Sequence, residues 1–430
     1  MGNLKKIVTL TALALSLNSI APALAGTGNN GTCAVDPAWF SDGRISAPKP
    51  EDFPLNPSNC DFHQISWHYF LWLTEKMPDG HLRFESMYSE QAIDPKTPDA
   101  INKDLHLVFQ AGSLGILVNP DGRASYTSIM INKTYRDFVL DNKLYDPETL
   151  QKFPATTSFP VGSLSLKASW RIVGKGEKVG NAYTRKADVV LLDNVNGKVN
   201  FPNNKKIAKD VEVALVGLHI AIVTQHHPEA IWATFEHLDN APNMFPGLPQ
   251  DQAVSEKDYT FYRAQASGKD IPASACNLNN ASLLSIDVKT QRLSPTTQVC
   301  RQYPYGGGKS SNQNNIEAIN RSAMLQLSSN SVWRNYSEIG AVWLLGSDAL
   351  VPNWNPNLKT DPAITGSVTL SSSIIETFTQ NVVSQNNCFS CHNTMALTDT
   401  PDDRNILSGK NVNTSHIVLQ RYVKGAVVNR

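Results

Sequence analysis

Val211-Glu212-Val213-Ala214-Leu215-Val216-Gly217-Leu218-His219-Ile220-Ala221-Ile222-Val223 decides the fold. The run is dense in Val and Ile, whose branched Cβ suits a pleated, half-buried surface, and it holds no Pro to interrupt a ladder. It reads as one long strand, with His219 on the same side as Val211, Val213 and Leu215. Gln225-His226-His227-Pro228-Glu229 then turns the chain into Ala230–His237, an alternating segment, which places His226 and His227 in solvent. Within that segment Glu236 and His237 face opposite ways. Upstream, Leu164–Val173 and Ala187–Leu192 alternate like half-buried strands. Leu114–Asn132 reads as a hairpin around the turn Asn119-Pro120-Asp121-Gly122. Strands in such close succession over residues 107–240 make an antiparallel sheet.

Helices flank this sheet. Phe62–Leu73 is apolar almost all round, with Asp61 as N-cap and Ile65, Tyr69 and Trp72 on one face, so it predicts a buried helix. Its aromatic density also suits a pocket wall, with His63 or His68 as a ligand, but a packed core helix whose histidines bond to the backbone is the preferred reading. Ile316–Leu327 predicts a second, amphipathic helix, and residues 26–61 and 241–315 have loop composition. The fold class is α+β, a β-rich antiparallel body with flanking helices.

The chain has 430 residues, 38 Lys+Arg against 38 Asp+Glu, 41% hydrophobic and 18% charged residues. This balance excludes a disordered tail, a collagen-like repeat and a basic nucleic-acid module. Residues 1–25 read as a secretory signal peptide. Lys5 and Lys6 precede an apolar run from Ile7 to Leu17, and Ala23-Leu24-Ala25 offers small residues for cleavage after Ala25. Asn18, Ser19 and Pro22 break that stretch before it reaches the roughly 20 apolar residues of a spanning helix, so no stable membrane span is expected. The expected location is periplasmic or secreted.

In an oxidising compartment the six cysteines fall into three local pairs. Cys33–Cys60 and Cys276–Cys300 are expected structural disulfides, each closing a loop worth about 3 kcal/mol in lost chain entropy. The third pair sits in Cys388-Phe389-Ser390-Cys391-His392. C-x-x-C-H is the attachment sequence of c-type haem, and composition alone gives roughly 0.002 expected occurrences. Two thiols three residues apart reach the two vinyl groups of one porphyrin, and the adjacent His392 is held beneath the iron. A thioredoxin-like pair would follow a strand in a βαβ unit, and a zinc site would need a second Cys/His pair; neither context is present. Gly306-Gly307-Gly308-Lys309-Ser310 has Tyr303 where a phosphate loop needs Gly, and Asp193–Gly197 misses the calcium-loop pattern, Asn196-Gly197 being a hairpin turn.

On these residues the chain resembles exported bacterial monohaem c-type cytochromes with a single C-terminal C-x-x-C-H. The resemblance implies one covalent haem c, attached through Cys388 and Cys391, with His392 as proximal iron ligand. Residues 364–430 resemble a small α-helical cytochrome c-like module. Within it Ser371–Val383 carries Ile374, Phe378 and Val382 on one helical face, and Thr414–Val423 closes the module. Residues 26–363 form the mixed body, and Val351–Ala363 reads as a linker.

The pattern departs from small cytochromes at the sixth ligand. Met395 is the only Met after His392 and lies too near it to reach the opposite face of a porphyrin. His219, His68 and His416 are the remaining candidates, and an open site is the other outcome. Trp333, Tyr336, Trp343 and Trp354 are expected near the porphyrin edge or in the core. Electron transfer with a periplasmic redox partner is the leading reading. The alternative is a peroxidase- or oxygenase-like haem enzyme whose body forms a pocket for a small-molecule substrate. A gas-binding sensor and a structural protein are further readings.

Overall fold

In a computed structural model of the chain the run quoted above lies within one 18-residue strand, Ile207–Thr224. The structure describes residues 32–420 except 111–114, 178, 180, 245–246, 249–251, 265–278, 307–309, 347, 357–362, 382–386 and 399–405. The proposed signal peptide and Cys276 lie outside the described residues. From Cys33 to Arg430 the chain is one compact unit.

Among the described residues nine strands form the main sheet: β1 Tyr88–Ser89, β2 Asp104–Leu105, β3 Ser125–Ile131, β4 Leu164–Ile172, β5 Thr184–Val190, β6 Ile207–Thr224, β7 His227–His237, β8 Tyr336–Leu344 and β9 Ile364–Gly366. Their order is β1-β3-β4-β6-β7-β8-β9, and β5 pairs with the first half of β6. Every pairing is antiparallel except the short β2–β5 contact. The expected antiparallel body is therefore present. The turn at Asn119 forms as its sequence implies: Gly122 donates to the Asn119 carbonyl at 2.9 Å, with φ at 76°. A Cβ there would meet the Leu293 carbonyl at 3.0 Å, so glycine is needed for space as well as for φ.

One face of the sheet carries helix α1 (Asn59–Leu73), and the helix that ends at Gln326 lies against α1. Helix α1 begins earlier than the sequence suggests. Ser58 is its N-cap, and Asp61, three residues in, accepts from the Ser58 N–H at 2.7 Å and from its hydroxyl at 2.8 Å. Trp67, Phe70 and Phe62 enter the sheet, Phe70 stacking on Phe235 at 4.3 Å and Phe62 on Trp343 at 3.9 Å. The Trp67 indole donates to Asn320 at 3.0 Å. Cys33–Cys60 is a disulfide, with Cα atoms 5.6 Å apart, and ties the preceding segment to the first turn of α1.

The other face is covered by the C-terminal segment, and the described residues there do not show the expected helical module. Among the described residues from 364 onward there are 3₁₀ turns at Thr377–Asn381, Cys388–Ser390 and Asn411–Thr414, and one four-residue helix, α2, at His416–Leu419. Ser371–Ser373 does not open a helix because its polar groups serve distant partners. The Ser371 hydroxyl accepts from Tyr303 N–H at 2.7 Å, and Ser373 N–H donates to Glu236 at 2.9 Å. Ile374 and Ile375 pack on Val216 and Leu117, Phe389 on Val342 and Leu344, and Ile417 with Val418 near Val223 and Ala230. The described part of the expected linker is knit in as well: Asn353 N–H donates to the Thr394 carbonyl and Asn353 Oδ1 accepts from Gly409. Among the described residues no helix is long and apolar enough to cross a membrane.

Candidate haem site

A bulge in β6 sets the orientation of His219. Ser169 of β4 pairs with Gly217 and Trp170 with Leu215, so Val216 has no partner on β4. The alternation shifts phase there. Val213, Leu215, Leu218, Ile220 and Ile222 pack on the α1 face, whereas His219, Ala221 and Val223 face the C-terminal segment. His219 is thus on the side opposite Val213 and Leu215, which corrects the simple alternating reading. Gly217 belongs to this bulge: a Cβ would lie 2.6 Å from Ile374 and 2.3 Å from the Phe235 carbonyl.

Between the sheet and the C-terminal segment lies a cavity of about 220 Å³. Lys167, His219, Ala221, Val223 and Trp232 line it from the sheet. Cys388, Cys391, His392, His416, Leu370 and Ile375 line it from the segment. The Cys388–His392 motif is one helical turn. Asn387 caps it, its Oδ1 accepting from Phe389 N–H at 3.0 Å, and the N–H groups of Cys391 and His392 return to the Cys388 carbonyl. Phe389 points away into the core beside Val342, which turns both thiols to the cavity. Cys388 and Cys391 are free thiols. Burial pushes the Cys388 thiol up to about 12 and raises Cys391 also. That direction is opposite to the lowered value of a reactive redox cysteine.

His392 is fixed in ring position and tautomer. Its Nδ1 lies 2.8 Å from the Thr414 carbonyl, an acceptor, so Nδ1 carries the proton and Nε2 keeps a lone pair. Its ring sits 4.1 Å from that of Trp232 and 4.0 Å from that of His416, on which it stacks. Burial holds His392 well below its ordinary range, so the ring is neutral. His416 is lowered by the same cause, and its Nε2–H donates to the Cys391 carbonyl at 3.0 Å. His219 is pushed down to about 3 by burial, with the Lys167 ammonium adding to it. Lys167 itself pairs with Glu376 at 3.1 Å.

The structure brings Cys388, Cys391, His392, His416 and His219 to one cavity and leaves other candidates elsewhere. His68 is not at the site. It stacks on Trp39 at 4.3 Å and its Nε2 lies 2.8 Å from the Ser46 carbonyl. His63 bonds Glu338 and Asn312 beneath α1. His227 is buried rather than solvated, its Nδ1 2.9 Å from Glu229. Trp333, Tyr336 and Trp343 belong to the α1 face, and only Trp354 adjoins the motif, through Phe389 at 5.4 Å. Glu236 faces the C-terminal segment, bonded to Arg301 and Ser373, while His237 meets Tyr336, so the two do point apart. Cys300 is a buried free thiol near Asn279, and its expected partner Cys276 lies outside the described residues. Sequence reasoning missed Trp232 and Glu229. Trp232 was accessible from alternation, two residues after Ala230 on the same face, whereas the buried position of Glu229 follows only from the register of β7 with β8.

Among the described residues no group of three or more His, Cys, Asp or Glu converges as a metal-binding set. Two thiols, one neutral imidazole and mainly apolar side chains share the cavity wall. Comparison with family models, with curated proteins and with solved structures returns no match to this chain.

Proposed function

We propose that this chain is an exported c-type haem protein that binds one haem through Cys388 and Cys391, with His392 as proximal ligand, and passes electrons to a periplasmic redox partner. The observation that carries this reading is the convergence of both thiols and the neutral His392 on one apolar-walled cavity. When bound, the haem supplies a reversible one-electron change of its iron. The chain's own residues do the rest. Thr414 orients His392 and increases its basicity through the Nδ1 bond, as outer-shell acceptors do for ligating histidines. Ile375, Leu370, Ala221 and Val223 exclude water, which tunes the potential. Trp232 presses on the His392 ring and keeps it from rotating. Export rests on the proposed signal at residues 1–25, and the Cys33–Cys60 disulfide is compatible with an oxidising compartment.

The test is the full chain expressed with export and with haem attachment available. Haem should stay on the polypeptide under denaturing conditions and be lost from Cys388→Ala/Cys391→Ala. Haem that never becomes covalent, or that survives the double substitution, overturns the reading.

One observation favours the alternative, a haem-dependent oxidoreductase acting on a small molecule. Glu229, in the cavity wall, is buried, and its Oε2 has no hydrogen-bond partner among the described residues. Such a carboxylate could exchange a proton with a bound substrate. A haem that binds CO or cyanide without any substitution supports that alternative over the carrier.

A further inference from the structure

We propose that His219 of β6 supplies the sixth ligand of the haem, so that the sheet provides one axial imidazole and the C-terminal segment the other. This rests on the haem reading above. The cavity gives the two candidates different standing. His416 comes from the same segment as His392, stacks on it at 4.0 Å, and has committed Nε2 to the Cys391 carbonyl at 3.0 Å. Two stacked rings from one wall cannot hold opposite faces of a porphyrin. His219 comes from the sheet.

The hydrogen bonds around His219 leave the right atom available. The Ser372 hydroxyl oxygen lies 3.3 Å from His219 Nε2 and already accepts from the N–H groups of Ile374 and Ile375. With both lone pairs used, its hydrogen is directed at Nε2. His219 therefore carries its proton on Nδ1 and presents a lone pair at Nε2. At 3.3 Å that contact is long and readily given up. Of the other nitrogen and sulfur donors, Lys167 lines the cavity but is paired with Glu376, Met130 packs on the α1 face, His68 is held by Ser46, and Met395 is exposed. The bulge at Val216 is what aims His219 here, since unbroken alternation would have placed it under α1.

The experiment is optical and electron-paramagnetic spectroscopy of the haem-loaded full chain. Wild type is expected to be six-coordinate and low-spin, with the ferric signature of two imidazole ligands and no change under CO. His219→Ala should shift the ferric haem to high spin, admit CO, and return to low spin on adding imidazole, while His416→Ala stays low-spin. A wild type that is high-spin, or that shows a nitrogen–sulfur pair, overturns the proposal. So does a low-spin His219→Ala, or loss of low spin in His416→Ala alone. If His219→Ala fails to fold, the wild-type ligand signature and His416→Ala still decide. Absence of covalent haem in wild type defeats the earlier reading instead, so the two failures are separable.

Discussion

On the α1 face of the sheet, His63 has both ring nitrogens engaged, one with Glu338 at 2.7 Å and one with Asn312 at 3.0 Å. Around it Trp67, Phe70, Phe62 and Trp343 interlock as stacked and edge-on rings. On the opposite face of the same strands, His392 and His219 keep lone pairs at Nε2, and a cavity takes the place of packed rings. The difference is one of completeness. A histidine whose partners are all supplied by the fold contributes to packing, whereas His392 Nε2 keeps a lone pair beside the cavity and His219 Nε2 is held only by the 3.3 Å contact with Ser372.

The largest predicted effect tests this contrast directly. Trp67 is fully buried, so Trp67→Ala should cost about 3–5 kcal/mol of unfolding free energy. Trp232, half-buried beside the cavity, should cost clearly less when cut to Ala in the haem-free protein, because the space next to it is already open. Equal losses in urea titrations would mean that the second face is as tightly packed as the first. Next in size is the Cys33–Cys60 bridge, whose sequence separation is 27. Removing it with Cys33→Ala/Cys60→Ala should cost about 3–4 kcal/mol, and a loss below about 1 kcal/mol would show that α1 needs no such anchor.

The same contrast explains what could be read from the sequence. Helix α1 was legible because its main signal is local, an apolar run from Phe62 to Leu73 behind Asp61, although the cap proved to be Ser58 with Asp61 bonded back to it. Most strands were legible for the same reason. The C-terminal segment was not. Its Ile374, Phe378 and Val382 spacing imitates a helical face, yet Ser371, Ser372 and Ser373 are claimed by Tyr303, His219 and Glu236, which lie 68 to 153 residues away. No local pattern carries that information. The motif at Cys388 was legible as a local pattern, since its spacing alone implies the haem attachment proposed above. The direction of His219 was not, because a bulge is defined by the partner strand and not by the strand that contains it.

A smaller effect sharpens the packed side. Glu338 is fully buried and bonded to His63, and Glu338→Gln should cost about 1–3 kcal/mol by weakening that bond at a buried site. An unchanged denaturation midpoint would show that the pair contributes nothing to stability.

The smallest effect concerns pH, and two histidines outside the cavity should give it opposite signs. Burial lowers the pKa of His68 below 6.5. Between 6.5 and the folded value the unfolded chain binds the extra proton, so His68 removes stability as the solution is acidified. His106 is raised above 6.5, chiefly by its hydrogen bond to Glu90, then by Asp104. Its contribution is fully present below 6.5 and is lost as the pH rises through the folded value. Each slope is at most about 1.4 kcal/mol per pH unit. Denaturation curves from pH 5 to 8 should therefore respond in opposite directions, His68→Gln flattening the acid side and His106→Gln the side above 6.5. If His68→Gln leaves the acid side as steep as before, then His68 is not held neutral by its burial. The contrast between filled and unfilled histidine sites would then lose one of its members.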